Sequence, residues 1–169
     1  MTGEEVGGVA IRRARSDDWP GIRRLVGAAG LPLDGLTDDH AVFVAMCGDR
    51  LVGTATLERH GVDDGVAYLL RSVVVDDGAH GSGIGGRLVE RTLSDAPPGR
   101  PVALLTETAA GWFPRFGFVA VDRAELPASL AGSEELRGAC PASAQALLRR
   151  SPGGDRGVTA ATEVDESAR

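Results

Sequence analysis

Apolar positions recur along this chain with two different periods. "VAIRRAR" (9–15) alternates and predicts a first strand. "SDDWPGIRRLVGAAG" then places Trp19, Ile22, Leu25 and Val26 at helical spacing. Ser16 is the expected N-cap of that helix, acids fill its first turn, and Gly30 stops it. "LPLDGLTDDH" reads as a loop or a short helix. "AVFVAMCGDRLVGTATLERHG" predicts a hairpin turning at Gly48-Asp49, and "DDG" (63–65) marks the next turn. "VAYLLRSVVV" is a long strand rich in branched residues. A helix over about 81–95 follows, with Ile84, Leu88, Val89 and Leu93 on one face, and "PPGR" breaks it. "PVALLTET" is another strand, "AAGWFPRF" a short helix ending at Gly117, and "FVAVDRAEL" a strand. "PASLAGSEELRG" reads as a loop with a helical turn, and "ASAQALLRR" fits a strand or a helix.

The order is β-α-β-β-β-α-β-α-β, an α/β chain with a mixed sheet and helices on its faces. Three strands can pair antiparallel through short turns, and the next two need a helical crossover. Residues 1–8 read as a flexible N-terminus, 9–150 as one domain, and 151–169 as a disordered tail of Gly, Pro and charge without periodicity.

The 169 residues suit a single domain with a real core. With 43% apolar and 25% charged residues the composition is globular. A net charge of -6 argues against general nucleic-acid binding, which needs a basic face. Cys47 and Cys140 form no zinc spacing with His40, His60 and His80, so a reduced cytoplasmic chain without a metal is the simplest reading. No secretory signal is expected in "MTGEEVGGVA", and no window approaches a membrane span.

Candidate chemistry concentrates in "DDGAHGSGIGGRLVE" (76–90), with glycines at 78, 81, 83, 85 and 86. A helix N-terminus offers unpaired N–H groups and the positive end of a dipole. Glycines ahead of it let an anion approach, so the turn suits a pyrophosphate. A phosphate-binding Walker loop requires Gly-Lys-Ser/Thr where this chain has Gly86-Arg87-Leu88. Gly81-x-Gly83-x-x-Gly86 fits a dinucleotide fingerprint literally. That motif belongs on a first strand, whereas four strands precede it here and too little chain follows.

"VVVDDGAHGSGIGGRLVE" resembles the acyl-CoA pyrophosphate loop of the GNAT N-acetyltransferases, its two fixed glycines falling on Gly83 and Gly85. "AAGWFPRFGF" (109–118) echoes a second signature of that family, and the order of elements is also the GNAT order. The position that opens the loop motif, usually Gln or Arg, is His80. The resemblance implies acetyl-CoA as co-substrate, held by the backbone of Val73 and Val75 on a bulged strand. His80, Gly81, Ser82, Gly83, Ile84 and Gly85 would meet the pyrophosphate. Thr106, Thr108 and Phe113 would flank the cofactor where the next strand splays away. Phe113 stands where many GNATs place a Tyr general acid, which leaves the thiolate to depart unaided or through water.

Within that frame Glu58 is the candidate base, and Ser72 lies beside the reacting centre. Arg71 is a candidate clamp for a substrate carboxylate, because guanidinium and carboxylate match with two bonds. Glu107 is a weaker candidate base. "TAAGWFPRFGF" and the closing "CPASAQALLRR" resemble the acetyltransferase domain of acetylglutamate synthase. With "LLRSVVV" and "ELRGACPASAQ" they resemble more closely the small GNAT proteins of arsenic-resistance operons. That implies a small, amino-acid-like amine as acceptor, contacts from Cys140 and Ser143, and possible homodimers. No nucleic-acid or membrane partner is expected. Three other readings stay open at this point: an acetyl-CoA-binding sensor without turnover, a dinucleotide-dependent oxidoreductase, and metal- or arsenic-sensing through Cys47 and Cys140.

Overall fold

A computed structural model describes residues 4–6 and 8–150. Among the described residues eight strands form one sheet: β1 (Glu4–Val6), β2 (Val9–Arg13), β3 (Ala41–Cys47), β4 (Arg50–His60), β5 (Ala67–Val75), β6 (Val102–Thr106), β7 (Val119–Val121) and β8 (Gln145–Arg149). Their order across the sheet is β1-β2-β3-β4-β5-β6-β8-β7. Neighbours pair antiparallel except β5 and β6, which run parallel across the crossover helix α2 (Ile84–Leu93). Helix α1 (Trp19–Ala28) covers the other face.

Ile84, Leu88, Val89 and Leu93 of α2 are all buried, and the periodicity predicted that face. Leu88 and Ile84 pack on Phe43, Ala45, Val52 and Ala55 of the antiparallel strands. Gly53 lets the helix sit this close, since a Cβ there would stand 2.7 Å from Leu88 Cδ1 and 3.1 Å from the Val74 carbonyl oxygen. Ile22 and Val26 of α1 bury against Val42, Val44 and Val74 on the opposite face.

Two expectations need correcting. The N-terminal stretch is not wholly flexible: Glu4–Val6 pairs with β2, and Gly8, at φ 78°, supports the tight turn. Ser16 does not cap α1. The Asp18 carboxylate instead accepts the Arg15 N–H (2.6 Å) and two bonds from Arg12, and the Arg12 bond holds its carboxyl below the ordinary range. Residues 145–149, readable either way, form β8 between β6 and β7. The tail reading for 151–169 lies outside the described residues.

Two irregularities shape the site. Between Thr54 and Thr56 the register of β4 against β5 slips, so that Thr54 faces Val74 while Thr56 faces Arg71. That is a bulge on β5, and Ser72 inside it takes φ 52°. Beyond Tyr68↔Val102 and Leu69↔Ala103, β5 and β6 are no longer paired, while β6 stays paired with β8 on its other edge along its whole length. The strands therefore part at the bulge and leave the β5 edge open.

Candidate active site

A cleft of about 560 Å³ opens at this parting. Val73, Val75 and Ile84 make one wall, the glycine turn the floor, and Ala109, Trp112 and Arg115 the other wall. Gly81 and Gly83 hold φ 78° and 76°, which L side chains rarely adopt, and Gly83 is the N-cap of α2. The first intrahelical bond runs from the Arg87 N–H to the Gly83 carbonyl (3.2 Å), so the amides of the preceding turn have no helical partner. The floor thus combines open amides with the positive end of α2, and the walls are mostly apolar. That donor set fits a pyrophosphate followed by an extended, largely apolar arm.

Of the expected cofactor residues, Val73, Val75, His80, Gly81, Gly83, Ile84 and Gly85 line this cleft. Ser82 does not: its hydroxyl donates to the Ala79 carbonyl. His80 braces the turn, its Nε2 standing 2.7 Å from the Val75 carbonyl oxygen, so the ring meets the strand and not only a ligand. Thr106 Oγ1 accepts the Ala109 N–H (3.1 Å) and Thr108 is exposed; neither lines the cleft. Phe113 is buried in the core, its ring edge-on to Trp112 and Phe118 (centroids 5.0 and 5.9 Å), so it belongs to packing. Trp112 and Arg115 were missed as cleft residues. Arg115 lies over the Trp112 ring at 5.4 Å, and an aromatic with a cation three residues on was the available signal.

Behind the bulge, on the face that carries α1, lies a buried charge cluster. Arg71 Nη1 donates to Glu58 Oε1 (2.7 Å) and Nη2 to the Pro32 carbonyl (3.0 Å), while Nε stands 3.4 Å from Ser72 Oγ and 3.3 Å from Glu135 Oε1. The Arg71 side chain has no exposed surface. A free carboxylate clamp was expected; the carboxylates it holds here are the protein's own. Glu58, also buried, bonds His60 Nε2 (2.9 Å), and His40 Nε2 lies 3.8 Å away. Glu58, the candidate base, is the hub of this cluster.

Glu135 went unnoticed in the sequence because its partners lie on distant strands. Burial pushes its carboxyl up to about 7, Arg71 opposes this, and Glu58 adds to it. Cys140 hydrogen-bonds Glu135, and burial together with that neighbour raises its thiol to about 11. Ser143 is exposed and bonds Glu107 Oε1 (3.1 Å). Arg123 holds this segment through the Pro141 carbonyl (2.6 Å).

Residues 38–120 match the family of acetyltransferase (GNAT) domains. The chain has the GNAT acetyltransferase fold. Its fold aligns with N-acetylglutamate synthase from Neisseria gonorrhoeae complexed with coenzyme A and N-acetyl-glutamate. There the TM-score is 0.67 at 21% identity over 88% of this chain and 36% of that one. Rv2747 from Mycobacterium tuberculosis, in complex with CoA and NLQ, aligns with TM-score 0.64 at 23% identity over 83% and 98%. Arabidopsis thaliana Naa50, in complex with the bisubstrate analogue CoA-Ac-MVNAL, aligns at 0.61 and 16% identity over 84% and 98%. At these identities the likeness is one of fold, and the chain spans about a third of the synthase's length. No curated protein sequence matches the chain. GNAT domains use acetyl-CoA as co-substrate, and the bulge, the parted strands and the glycine turn form the cleft that fits it. The dinucleotide reading finds no support, because the glycine turn follows the fifth strand of a mixed sheet. No described helix is long and apolar enough to cross a membrane.

Proposed function

We propose that the chain transfers the acetyl group of acetyl-CoA to the amine of a small, amino-acid-like acceptor. The observation that carries this reading is the bulge at Ser72 where β5 and β6 part, at the mouth of the glycine-turn cleft. An open strand edge can bond an extended pantetheine arm as a further strand would. The α2 N-terminus suits the pyrophosphate. A backbone N–H of the bulge polarises the thioester carbonyl.

A neutral amine must attack, and its proton must leave. Glu58 and His60 supply an acceptor pair in which the carboxylate fixes the imidazole tautomer. Phe113 offers no proton, so the thiolate departs through water. Arg71 supports an acceptor bearing a carboxylate, once one of its internal partners yields. Residues 9–150 form the catalytic unit. The free thiols Cys47 and Cys140 agree with a cytoplasmic enzyme, which can associate into homodimers as the resembled family does.

The resemblance to arsenic-operon proteins adds an arsenic-bearing amino acid to the acceptors worth testing. Cys140 is poorly suited to ligate arsenic, since its raised pKa keeps it a thiol at neutral pH. The test is release of CoA thiol from acetyl-CoA across amino acids, their amides, simple amines and an arsenical amino acid. Turnover with amino acids supports the reading. Acetyl-CoA binding with silence across the panel would replace it with a sensor.

A further inference from the structure

Arg71 is one guanidinium shared by two buried carboxylates. Glu58 is the close partner at 2.7 Å and Glu135 the looser one at 3.3 Å. The loop after α1 closes over the same side chain through the Pro32 carbonyl. Gly35 sits against it so tightly that a Cβ would stand 3.2 Å from Arg71 Nη1. Nothing can reach Arg71 unless one internal partner gives way.

Glu135 is the partner built to do so. It rides on a short turn (135–139), among the described residues outside the sheet, that is broken by Gly138 at φ 125°. Glu58 is fixed within β4 and tied to His60 as well. The charged groups facing Glu135 are Arg71 and Glu58, with the Cys140 thiol as a further bond, and His40 and His60 lie behind Glu58. With two acids against one cation, the ionised form of Glu135 is the disfavoured member of the set. Arg71 Nε also lies next to Ser72 at the bulge, so a ligand taking the Glu135 place would stand beside the reacting centre.

We propose that Glu135 holds the place of the acceptor's carboxylate on Arg71, and that a carboxylate-bearing acceptor binds by displacing it. This rests on the acetyl-transfer reading above and gives its site a chemical selectivity: an amine with a carboxylate nearby, in preference to the same molecule as its amide. Glu135 then acts as a positioning residue. It keeps Arg71 charge-paired while the site is empty and yields only to an acceptor that brings its own anion, so an amide leaves it in place.

The experiment is steady-state kinetics of Glu135→Gln and Glu135→Asp with an amino acid accepted by the parent and with its amide, after confirming that each variant still binds acetyl-CoA. Glu135→Gln should lower the amino acid's KM about ten-fold, the equivalent of one charge-assisted hydrogen bond no longer displaced. Neither kcat nor the amide's KM should change. Glu135→Asp, which withdraws the carboxylate by one methylene, should move the same way by less. The ratio of parent to Glu135→Gln KM should also fall toward one as the pH drops below about 7, where Glu135 is protonated. An unchanged or raised KM for the amino acid in both folded variants, or an equal gain for the amide, overturns the proposal while leaving acetyl transfer intact. Absence of turnover with every amine overturns the acetyl-transfer reading itself.

Discussion

Arg71 and Glu135 show what a single residue reveals in a sequence and what it conceals. An arginine just before a bulged strand is conspicuous, but its partners are not, since Glu135 and the Pro32 carbonyl reach it only through the fold. The same pairing sets a stability signature. Burial raises the folded-state pKa of Glu135 from an ordinary 4.5 to about 7, so the folded state binds the proton more tightly than the unfolded chain. Stability from this group is greatest below pH 4.5 and is lost as pH rises toward 7. Glu135→Gln should therefore be more stable than the parent at pH 8 by roughly 3 kcal/mol, with the gain shrinking toward pH 4.5; urea denaturation at both pH values checks this. Ser72 offers a second case. At φ 52° it sits where glycine is at ease, and Ser72→Gly should stabilise by about 1 kcal/mol in thermal melts.

Among the elements, α2 and the strands around it were legible because burial on one or two faces imposes a strict period. The chain wrote that period clearly in Ile84, Leu88, Val89 and Leu93. The last strand was not legible, since "ASAQALLRR" suits a helix locally and becomes β8 only by pairing with both β6 and β7. Phe113 misled for a related reason: a motif position marks it for the cofactor, while its ring packs among Trp112, Phe116 and Phe118. Two glycines carry testable weight. Gly83→Val should cost about 1–2 kcal/mol of left-handed strain at the α2 cap and raise the acetyl-CoA Kd at least about ten-fold, as read by calorimetry. Gly53→Ala should destabilise by about 1–3 kcal/mol, because its Cβ meets the buried Leu88 and the Val74 carbonyl together.

For the molecule as a whole, one sheet serves two sites on its opposite faces. On the proposed reading, the cleft beneath α2 takes the co-substrate and the charge cluster on the α1 side takes the acceptor, with the bulge at Ser72 as the point where they meet. Order of elements and the glycine turn made this architecture readable in advance. The burial of Arg71 was not, because it depends on the loop after α1 and the 133–140 segment converging on it. The central claim is that acetyl-CoA occupies the parted strands. An amide NMR titration of the full chain with acetyl-CoA tests it most directly. Shifts should concentrate at Val73, Val75, Gly81–Gly86 and the Trp112 indole. Shifts confined to the surface around Trp19, Arg23 and Asp38, or none at saturating acetyl-CoA, would contradict the account.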